Sequence, residues 1–345
     1  MAEDEPVPVL VPDPTCERLE KEFISVFGFR PDLYSRAPGR VNLIGEHIDY
    51  NGYGVLPLAL SQSIDVAAGV ERVKVEAKGG TPAGTRPGNG IVHLANTDPR
   101  FPPRQLPADP SAPLGHLDPS GEACLGPKAA ALDWSAYFHC GYKGACEFAI
   151  RTRQCPSGTT QQQQQPGDAD WGAAAAGVGC PGLAVLVSGD IPPGAGLSSS
   201  SALVVAAVLI TCMALGVQIT RGQAVSVSVE AERAVGTMGG GMDQTASLLC
   251  QEGQALHVNF VPRLQARTVL LPAGAVFVVC DSTSREHKAA GAALRFNRRV
   301  VECRFAAVLL AKALGVPNWG QIATLQEVQS QVAGYTLADM AAAAR

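Results

Sequence analysis

The sequence lacks several features that would place it in whole classes of protein. Among its 345 residues there is no Lys/Arg-rich block, and the formal net charge is −4, so we expect neither a nucleic-acid partner nor an anionic membrane surface. The longest apolar run, residues 202–214, is shorter than the roughly 20 residues that span a bilayer. The acidic first residues predict neither a signal peptide nor a transit peptide. We therefore expect a cytoplasmic protein that acts as a monomer on small molecules.

Metal-binding and disulfide patterns are also missing. Ten cysteines are scattered without a Cys-x-x-Cys pair, and the six histidines show no His-x-His spacing, so nothing predicts a zinc site. Most of the cysteines lie in apolar surroundings, which favours reduced thiols in a protein core over a disulfide framework.

Length and patterning predict two domains of an α+β fold. A chain of 345 residues that is 46% hydrophobic can build two cores. Strand-like and helical patterns are mixed without a regular βαβ alternation, which argues against a doubly wound sheet. We predict strands at 41–44, 55–75, 183–188, 255–260 and 275–280, and helices at 16–27, 134–151, 199–215, 222–235 and 297–314. Two stretches, the Pro/Gly-dense residues 79–128 and the glutamine- and alanine-rich residues 155–182, are expected to be low-complexity insertions.

One segment concentrates charged and polar groups beside a strand. Residues 35–51 read Ser-Arg-Ala-Pro-Gly-Arg-Val-Asn-Leu-Ile-Gly-Glu-His-Ile-Asp-Tyr-Asn, and we call them the signature segment. Arg40 precedes the apolar strand, and Glu46, His47 and Asp49 follow it. Charged groups this close to a half-buried strand need partners or a polar ligand. Several donors and acceptors together suit a polyhydroxylated ligand; the alternative is a surface turn with solvated charges.

A second segment has the composition of a phosphate site. Residues 188–203, the serine-rich segment, read Ser-Gly-Asp-Ile-Pro-Pro-Gly-Ala-Gly-Leu-Ser-Ser-Ser-Ser-Ala-Leu. Gly194 and Gly196 allow close backbone approach to an anion, and the start of the following helix offers free N–H groups. Ser198 to Ser201 add hydroxyl donors, of which we assign Ser198 and Ser199 to the phosphates, and one hydroxyl of the run, for which we take Ser200, could ligate Mg²⁺. The alternative is a helix that a serine merely caps.

The third segment supplies a candidate base. Residues 236–244 read Gly-Thr-Met-Gly-Gly-Gly-Met-Asp-Gln, and we call residues 236–241 the glycine loop. Asp243 alone could be an ordinary residue at a helix start. Beside a phosphate site and Arg40 it becomes a candidate base for a hydroxyl, since phosphoryl transfer needs mainly positioning and charge neutralisation. An arginine contact would favour the ionised carboxylate.

Residues 35–60, 188–204 and 236–253 together resemble the galactokinase branch of the GHMP small-molecule kinases. The resemblance implies a ribosomal-protein-S5-like domain over residues 31–260, after an N-terminal segment of residues 1–30, and a ferredoxin-like domain over 270–345. It further implies ATP and Mg²⁺ as cofactors, with Asp243 as the catalytic base and Arg40 as the catalytic arginine. The resemblance places Arg40, Glu46, His47, Asp49 and Asp243 at the sugar, Gly194, Gly196, Ser198 and Ser199 at the ATP phosphates, and Glu232 beside Mg²⁺.

Two departures from the family pattern bear on function. Typical galactokinases have a tyrosine where this chain has Phe296, and the Phe296-Asn297 pair is more similar to N-acetylgalactosamine kinase; Asn297 could contact an acetamido group. The family's third glycine-rich motif is absent, so we expect an incomplete C-terminal domain, as in a fragment or a protein that no longer catalyses. The resemblance implies phosphorylation of galactose at the anomeric hydroxyl. The alternatives are an N-acetylgalactosamine kinase and a non-catalytic protein that senses sugar and ATP.

Overall fold

The computed structural model describes residues 2–70, 72–73, 86–87, 90–117, 133–154, 180–280, 295–332 and 334–343. In chain order, the helices and strands are α1 (Pro14–Phe27), β1 (Leu33–Asn42), β2 (Pro57–Val70), β3 (Arg72–Val73), β4 (Arg86–Pro87), β5 (Ile91–Asn96), β6 (Arg104–Pro107), α2 (Trp134–Gln154), β7 (Leu183–Gly189), α3 (Ser199–Ala214), α4 (Arg221–Arg233), α5 (Met242–Leu249), β8 (Gln254–Asn259), β9 (Gln265–Leu270), α6 (Phe296–Ala313), α7 (Leu325–Gln331) and α8 (Leu337–Ala343). The insertion predicted at 155–182 lies outside the described residues, apart from residues 180–182.

A five-stranded sheet organises the first part of the chain. Its strand order is β1-β2-β7-β5-β6, and neighbours are antiparallel except β5 and β7, which run parallel. Alternate residues point to opposite faces, so Val66 and Val185 join the main core with α2 and α3 while Leu186 packs against Leu19 and Phe23 of α1. Both faces of the sheet are therefore covered, and the predicted α+β class is confirmed.

Helix α1 has clear start and stop signals. Asp13 is its N-cap and accepts a hydrogen bond from the Cys16 N–H at 3.0 Å, Pro14 occupies the first turn, and Gly28 ends the helix with φ +79°. A proline at the start and a left-handed glycine at the end are the usual arrangement.

Helix α3 is the central helix of the main core and carries the serine-rich segment at its N-terminus. Residues 201–212 are all buried, because the helix lies between the sheet and helices α2, α4 and α5. Gly141 of α2 permits this packing, since a Cβ there would lie 2.6 Å from the Val204 carbonyl oxygen of α3. A short turn after β7 leads into α3, so the N-terminus of this buried helix is held in a fixed position.

The sequence expectation for residues 79–128 was wrong in part. Strands β5 and β6 lie within this stretch, and β5 pairs with the central strand β7. Val92, Leu94 and Leu106 are fully buried. The prolines and glycines on both sides make the stretch look like a loop in the sequence. It nevertheless contains two short strands whose apolar residues belong to the main core.

The C-terminal helices have a small core of their own. Its buried members are Ala307, Leu310, Ala311, Val316, Ile322, Val328 and Met340. On the other side of α6, Val301, Phe305 and Leu309 are exposed. The division of the chain near residues 260–270 stays a prediction, and the β8–β9 hairpin that spans this range packs on the main core through Leu256 and Val258.

The strand predicted at residues 275–280 is absent. These residues take no regular structure, and Val276 and Val278 are exposed. An apolar run becomes a strand only when another strand pairs with it, and none of the described strands does so.

No helix in the described part of the chain is long and apolar enough to cross a membrane.

Candidate active site

A cavity of about 380 Å³ opens where the three predicted segments meet. Its wall is formed by the end of β1 and the turn after it, by the serine-rich segment, by α4, and by the glycine loop with the start of α5. The sequence-predicted residues that line it are Arg40, Glu46, His47, Asp49, Gly196, Glu232 and Asp243. Residues that are far apart in the sequence thus line one cavity.

Arg40 and Asp243 form an ion pair in the wall of the cavity. The Arg40 Nε and Nη2 atoms each lie 2.7 Å from Asp243 Oδ1, and Arg40 Nη1 donates to the Gly196 carbonyl at 2.7 Å. Both side chains are largely buried, with 11% and 14% of their surface exposed. The predicted proximity of Arg40 to Asp243 is present, and the guanidinium also joins the candidate base to the serine-rich segment.

Close approach of two backbones makes this contact possible. The Arg40 N–H donates to the Leu197 carbonyl at 3.2 Å. A Cβ at the preceding residue, Gly39, would lie 2.7 Å from the same oxygen. Strand β1 can lie against the serine-rich segment only because residue 39 has no side chain.

A second cluster of oxygens lies next to Asp243. The Ser201 hydroxyl is 3.1 Å from Glu232 Oε1 and 3.3 Å from Asp243 Oδ2. Gln244 Nε2 donates to the other oxygen of Glu232. Ser201, Glu232 and Gln244 are buried, so two carboxylates and a hydroxyl converge in a partly desolvated corner of the cavity.

The serine-rich segment turns sharply before α3. Gly194 and Gly196 have φ of +71° and +75°, and Ser198 has φ +61°. Ser198 is buried, makes no capping hydrogen bond and has no hydrogen-bond partner for its hydroxyl among the described residues. The alternative reading, in which a serine simply caps the helix, is therefore not what the structure contains. The N–H groups at a helix start are available to bind an anion, and the Ser198 hydroxyl adds a donor without a partner among the described residues.

Asp49 connects the signature segment to the glycine loop. Its Oδ2 accepts a hydrogen bond from the Gly240 N–H at 3.1 Å. Burial, followed by the charge of Asp243, raises the pKa of Asp49, and hydrogen bonds from the backbone N–H groups of Tyr50, Met242 and Gly240 oppose this change. The chain thus holds two carboxylates near each other, as ligand-binding sites commonly do.

The turn after β1 is held by local contacts around His47. Asn42 Nδ2 donates to Glu46 Oε1 at 2.8 Å, and His47 Nδ1 lies 2.8 Å from the Tyr50 hydroxyl. His47 has φ +59°, a conformation that costs energy for a side-chain-bearing residue. The Phe296 ring centroid lies 5.6 Å from that of His47, so the first residue of α6 closes this side of the cavity.

Asn297 takes a different place from the one expected. It is not among the residues that line the cavity. Its Oδ1 accepts from the Met238 N–H at 3.1 Å and its Nδ2 donates to the Gly236 carbonyl at 2.6 Å. Both hydrogen-bonding atoms of the side-chain amide are thus engaged with the glycine loop, and the contact with an acetamido group stays a prediction.

The structure also brings a different serine to the acids. Ser200, the predicted metal ligand, does not line the cavity, whereas Ser201 does. Consecutive helical residues point about 100° apart, so the rotation of α3 about its axis decides which serine faces the acids. The sequence alone did not determine that rotation. Gly194, Ser198 and Ser199 lie in the turn and first helical residues beside the cavity without lining it.

Several polar wall residues were not predicted from the sequence: Asn42, Tyr50 and Gln244. Their signal was their position, since each lies within a few residues of a predicted site residue. No group of three or more His, Cys, Asp or Glu that could hold a metal ion occurs in the parts of the chain that the structure describes.

Comparisons with known proteins agree with this geometry. Residues 21–70 match the galactokinase galactose-binding signature, and residues 169–251 match the N-terminal domain of GHMP kinases. Over these two stretches the chain is similar to the GHMP kinases. Over most of its length it is similar to galactokinases: it is 33% identical to one from Dictyostelium discoideum over 316 residues, and 35% identical to one from Saccharomyces cerevisiae over 310 residues.

The fold of this chain is similar to that of a solved structure. The crystal structure of Lactococcus lactis galactokinase complexed with galactose superimposes with a TM-score of 0.54 at 18% identity, covering 96% of this chain and 70% of the other. The matches to the Dictyostelium and yeast proteins cover 91% and 87% of this chain but 53% and 50% of those proteins. The chain thus spans about half the length of these relatives.

Proposed function

We propose that this chain acts as a galactokinase-type sugar 1-kinase, which transfers the γ-phosphoryl group of ATP to the anomeric hydroxyl of galactose. The Arg40–Asp243 ion pair carries this proposal, because it joins a carboxylate base, a fixed cation and the serine-rich segment in one cavity. The match of residues 21–70 to a galactose-binding signature supports galactose as the acceptor.

Each end of the cavity has a distinct task in this reaction. Glu46, His47 and Asp49 orient the sugar hydroxyls, and the Asp243 carboxylate accepts the proton of the attacking hydroxyl. Arg40 holds that carboxylate and neutralises charge that develops on the transferred group. A fixed base and cation supply most of what phosphoryl transfer requires of a protein.

The serine-rich segment offers hydrogen-bond donors to the phosphates of ATP, and the neighbouring acids offer oxygen ligands to Mg²⁺. The backbone around Gly194 and Gly196 and the hydroxyls of Ser198 and Ser199 would bind phosphate oxygens. Ser201 and Glu232 fit a hard cation, since their oxygens lie 3.1 Å apart in a buried position and Mg²⁺ prefers hydroxyl, carboxylate and phosphate oxygens. They replace the pair of Ser200 and Glu232 that the sequence suggested. Bound there, Mg²⁺ would neutralise phosphate charge.

We further propose that the protein acts as a monomer in the cytoplasm. The cysteines that the structure describes are free thiols, which fits a reducing compartment.

The direct test replaces the base. We expect Asp243→Asn to lower the rate of galactose phosphorylation by about 10²–10⁴, because the amide keeps the size but cannot accept a proton. A coupled ADP-release assay with and without galactose measures the rate, and calorimetry should find galactose affinity within a few-fold of the parent. Asp98→Asn, an aspartate outside the cavity, is the control. Unchanged turnover in Asp243→Asn would disprove the role of the base.

N-acetylgalactosamine is the second candidate acceptor. The observation in its favour is Phe296, which lines the cavity beside His47 and presents an apolar ring suited to an acetamido methyl group. The same assay with both sugars separates the candidates. Sugar and ATP binding without ADP release would instead support a non-catalytic sensor.

A further inference from the structure

The glycine loop needs external support to hold the base. Gly236 and Gly241 have φ of +87° and +110°, and two further glycines lie between them. A backbone so rich in glycine is conformationally free in isolation. Asp243 lies two residues beyond this loop, so its position depends on what fixes the loop.

Asn297 fixes the first half of the loop. Its amide uses both of its hydrogen-bonding atoms, with Oδ1 accepting from Met238 N–H and Nδ2 donating to the Gly236 carbonyl. The two backbone groups flank Thr237, which is buried and lines the cavity. One side chain therefore pairs with the loop as a neighbouring strand would.

The second half of the loop is fixed from the opposite direction. Gly240 donates its N–H to Asp49 Oδ2 at 3.1 Å. The loop is thus held between the start of α6 and the signature segment. Removing either support frees one half of the loop while leaving the other attached.

Asn297 also joins two walls of the site. Its neighbour Phe296 lines the cavity and stacks near His47 and Tyr50, whereas Asn297 itself points to the loop. Helix α6 therefore contacts the sugar end through one residue and the base loop through the next.

We propose that Asn297 is a positioning residue, which holds the glycine loop so that Asp243 is aligned for proton transfer, and that it does not discriminate between sugars. This inference rests on the proposed kinase function for its catalytic part. Its structural part concerns the loop alone and can be tested without any sugar.

The kinetic test uses Asn297→Ala and Asn297→Asp, with Arg298→Ala as the matched control at an exposed neighbouring position. Loss of the two hydrogen bonds should lower kcat for galactose and for N-acetylgalactosamine by the same factor, about tenfold or more. The ratio of kcat/KM for the two sugars should stay within about twofold, and the control should match the parent. A change in that ratio of about tenfold with unchanged kcat would show direct sugar contact and overturn the proposal.

A second measurement separates this proposal from the proposed function. Hydrogen exchange of the apo protein should become faster at residues 236–242 in Asn297→Ala, and remain unchanged there in Arg298→Ala. If the parent protein phosphorylates neither sugar but the loop exchanges faster in the variant, the kinase proposal fails and the support by Asn297 stands. Unchanged exchange in the loop would overturn the support itself. Asn297→Asp keeps the size of the side chain and the acceptor for Met238 N–H but loses the donor to the Gly236 carbonyl. If the alanine variant does not fold, faster exchange in the loop of Asn297→Asp, by a smaller factor, gives the readout.

Discussion

Burial and the nearby charge of Asp243 raise the pKa of Asp49. Above its ordinary value of 3.8, the folded protein therefore holds this proton more tightly than the unfolded chain does. Stability must then fall as pH rises from 3.8 through the folded pKa of Asp49, and stay level above it. The proposed sugar site thus carries a charge that lowers the free energy of unfolding at neutral pH.

We expect Asp49→Asn to remove this pH dependence. The difference in melting temperature, variant minus parent, should increase as pH rises from about 3.8 towards neutrality, by about 2–4 °C for each kcal/mol. Thermal unfolding of both proteins across this range measures it. Galactose affinity of the variant should fall, since the amide cannot replace the carboxylate as an acceptor for sugar hydroxyls.

Asp98 provides a control of opposite sign. Arg100 lowers the pKa of Asp98, so its contribution to stability is present above its ordinary pKa and is lost on acidification. The difference in melting temperature for Asp98→Asn should therefore decrease as pH rises from the lowered folded pKa of Asp98 to 3.8, and stay level above 3.8, where the Asp49 difference increases. The same trend in both variants would contradict the assignment of the raised pKa to Asp49.

At the residue scale, the sequence predicted which residues lie at the site better than it predicted the direction in which each side chain points. Arg40 and Asp243 lie far apart in the chain. A candidate base and a cation beside the serine-rich segment were nevertheless enough to predict that the two side chains lie together. The choice between Ser200 and Ser201 required the exact phase of α3. The role of Asn297 depended on where the glycine loop lies, which no local pattern encodes.

Among the elements, those with internal signals were predicted best. Helices α2, α3, α4 and α6 lie within a few residues of their predicted bounds, because apolar periodicity and caps are local. Strand β5 was missed and the strand at 275–280 was wrong for one reason. A strand exists only through its partners, and pairing joins residues distant in sequence, such as Val92 and Leu183.

The contact between the glycine loop and the signature segment yields a sharp test at the element scale. A Cβ at Gly240 would lie 2.6 Å from Asp49 Cγ and would also overlap the backbone of Asp49 and Tyr50. Gly240→Ala must separate the two elements, at a cost of about 1–3 kcal/mol. We expect galactose affinity, measured by calorimetry, to fall at least about tenfold.

Its neighbour Gly239 is the matched control. A Cβ there would have no atom within 4 Å, and the same substitution changes the loop composition equally. Gly239 lines the cavity but does not touch Asp49, so Gly239→Ala should weaken galactose binding less than Gly240→Ala does. Equal losses in both variants would mean that loop flexibility, and not the fit against Asp49, determines binding.

For the whole molecule, the decisive feature is the unequal size of the main core and the C-terminal core. The main core spans the sheet and helices α2–α5, whereas the described C-terminal helices bury only a small apolar cluster. These helices meet the rest of the described chain mainly at their ends. Phe296 lies beside His47 and Tyr50 of the signature segment, and the Tyr53 hydroxyl, just after that segment, donates to Gln329 Oε1 of α7 at 3.0 Å. A region with few buried contacts opens at low free energy.

Sugar binding should therefore stabilise the C-terminal helices. A ligand beside His47 and Phe296 would hold α6 against the signature segment, and α7 follows through Tyr53. We expect hydrogen exchange of residues 296–331 to be faster than that of α3 in the apo protein, and to slow by about tenfold at saturating galactose, in line with stabilisation by ligand binding. Strand β9, which lies outside the cavity, should be unaffected and serves as the internal control. Protection confined to residues 40–51, with no change in α6 and α7, would show that the C-terminal helices do not close on the sugar.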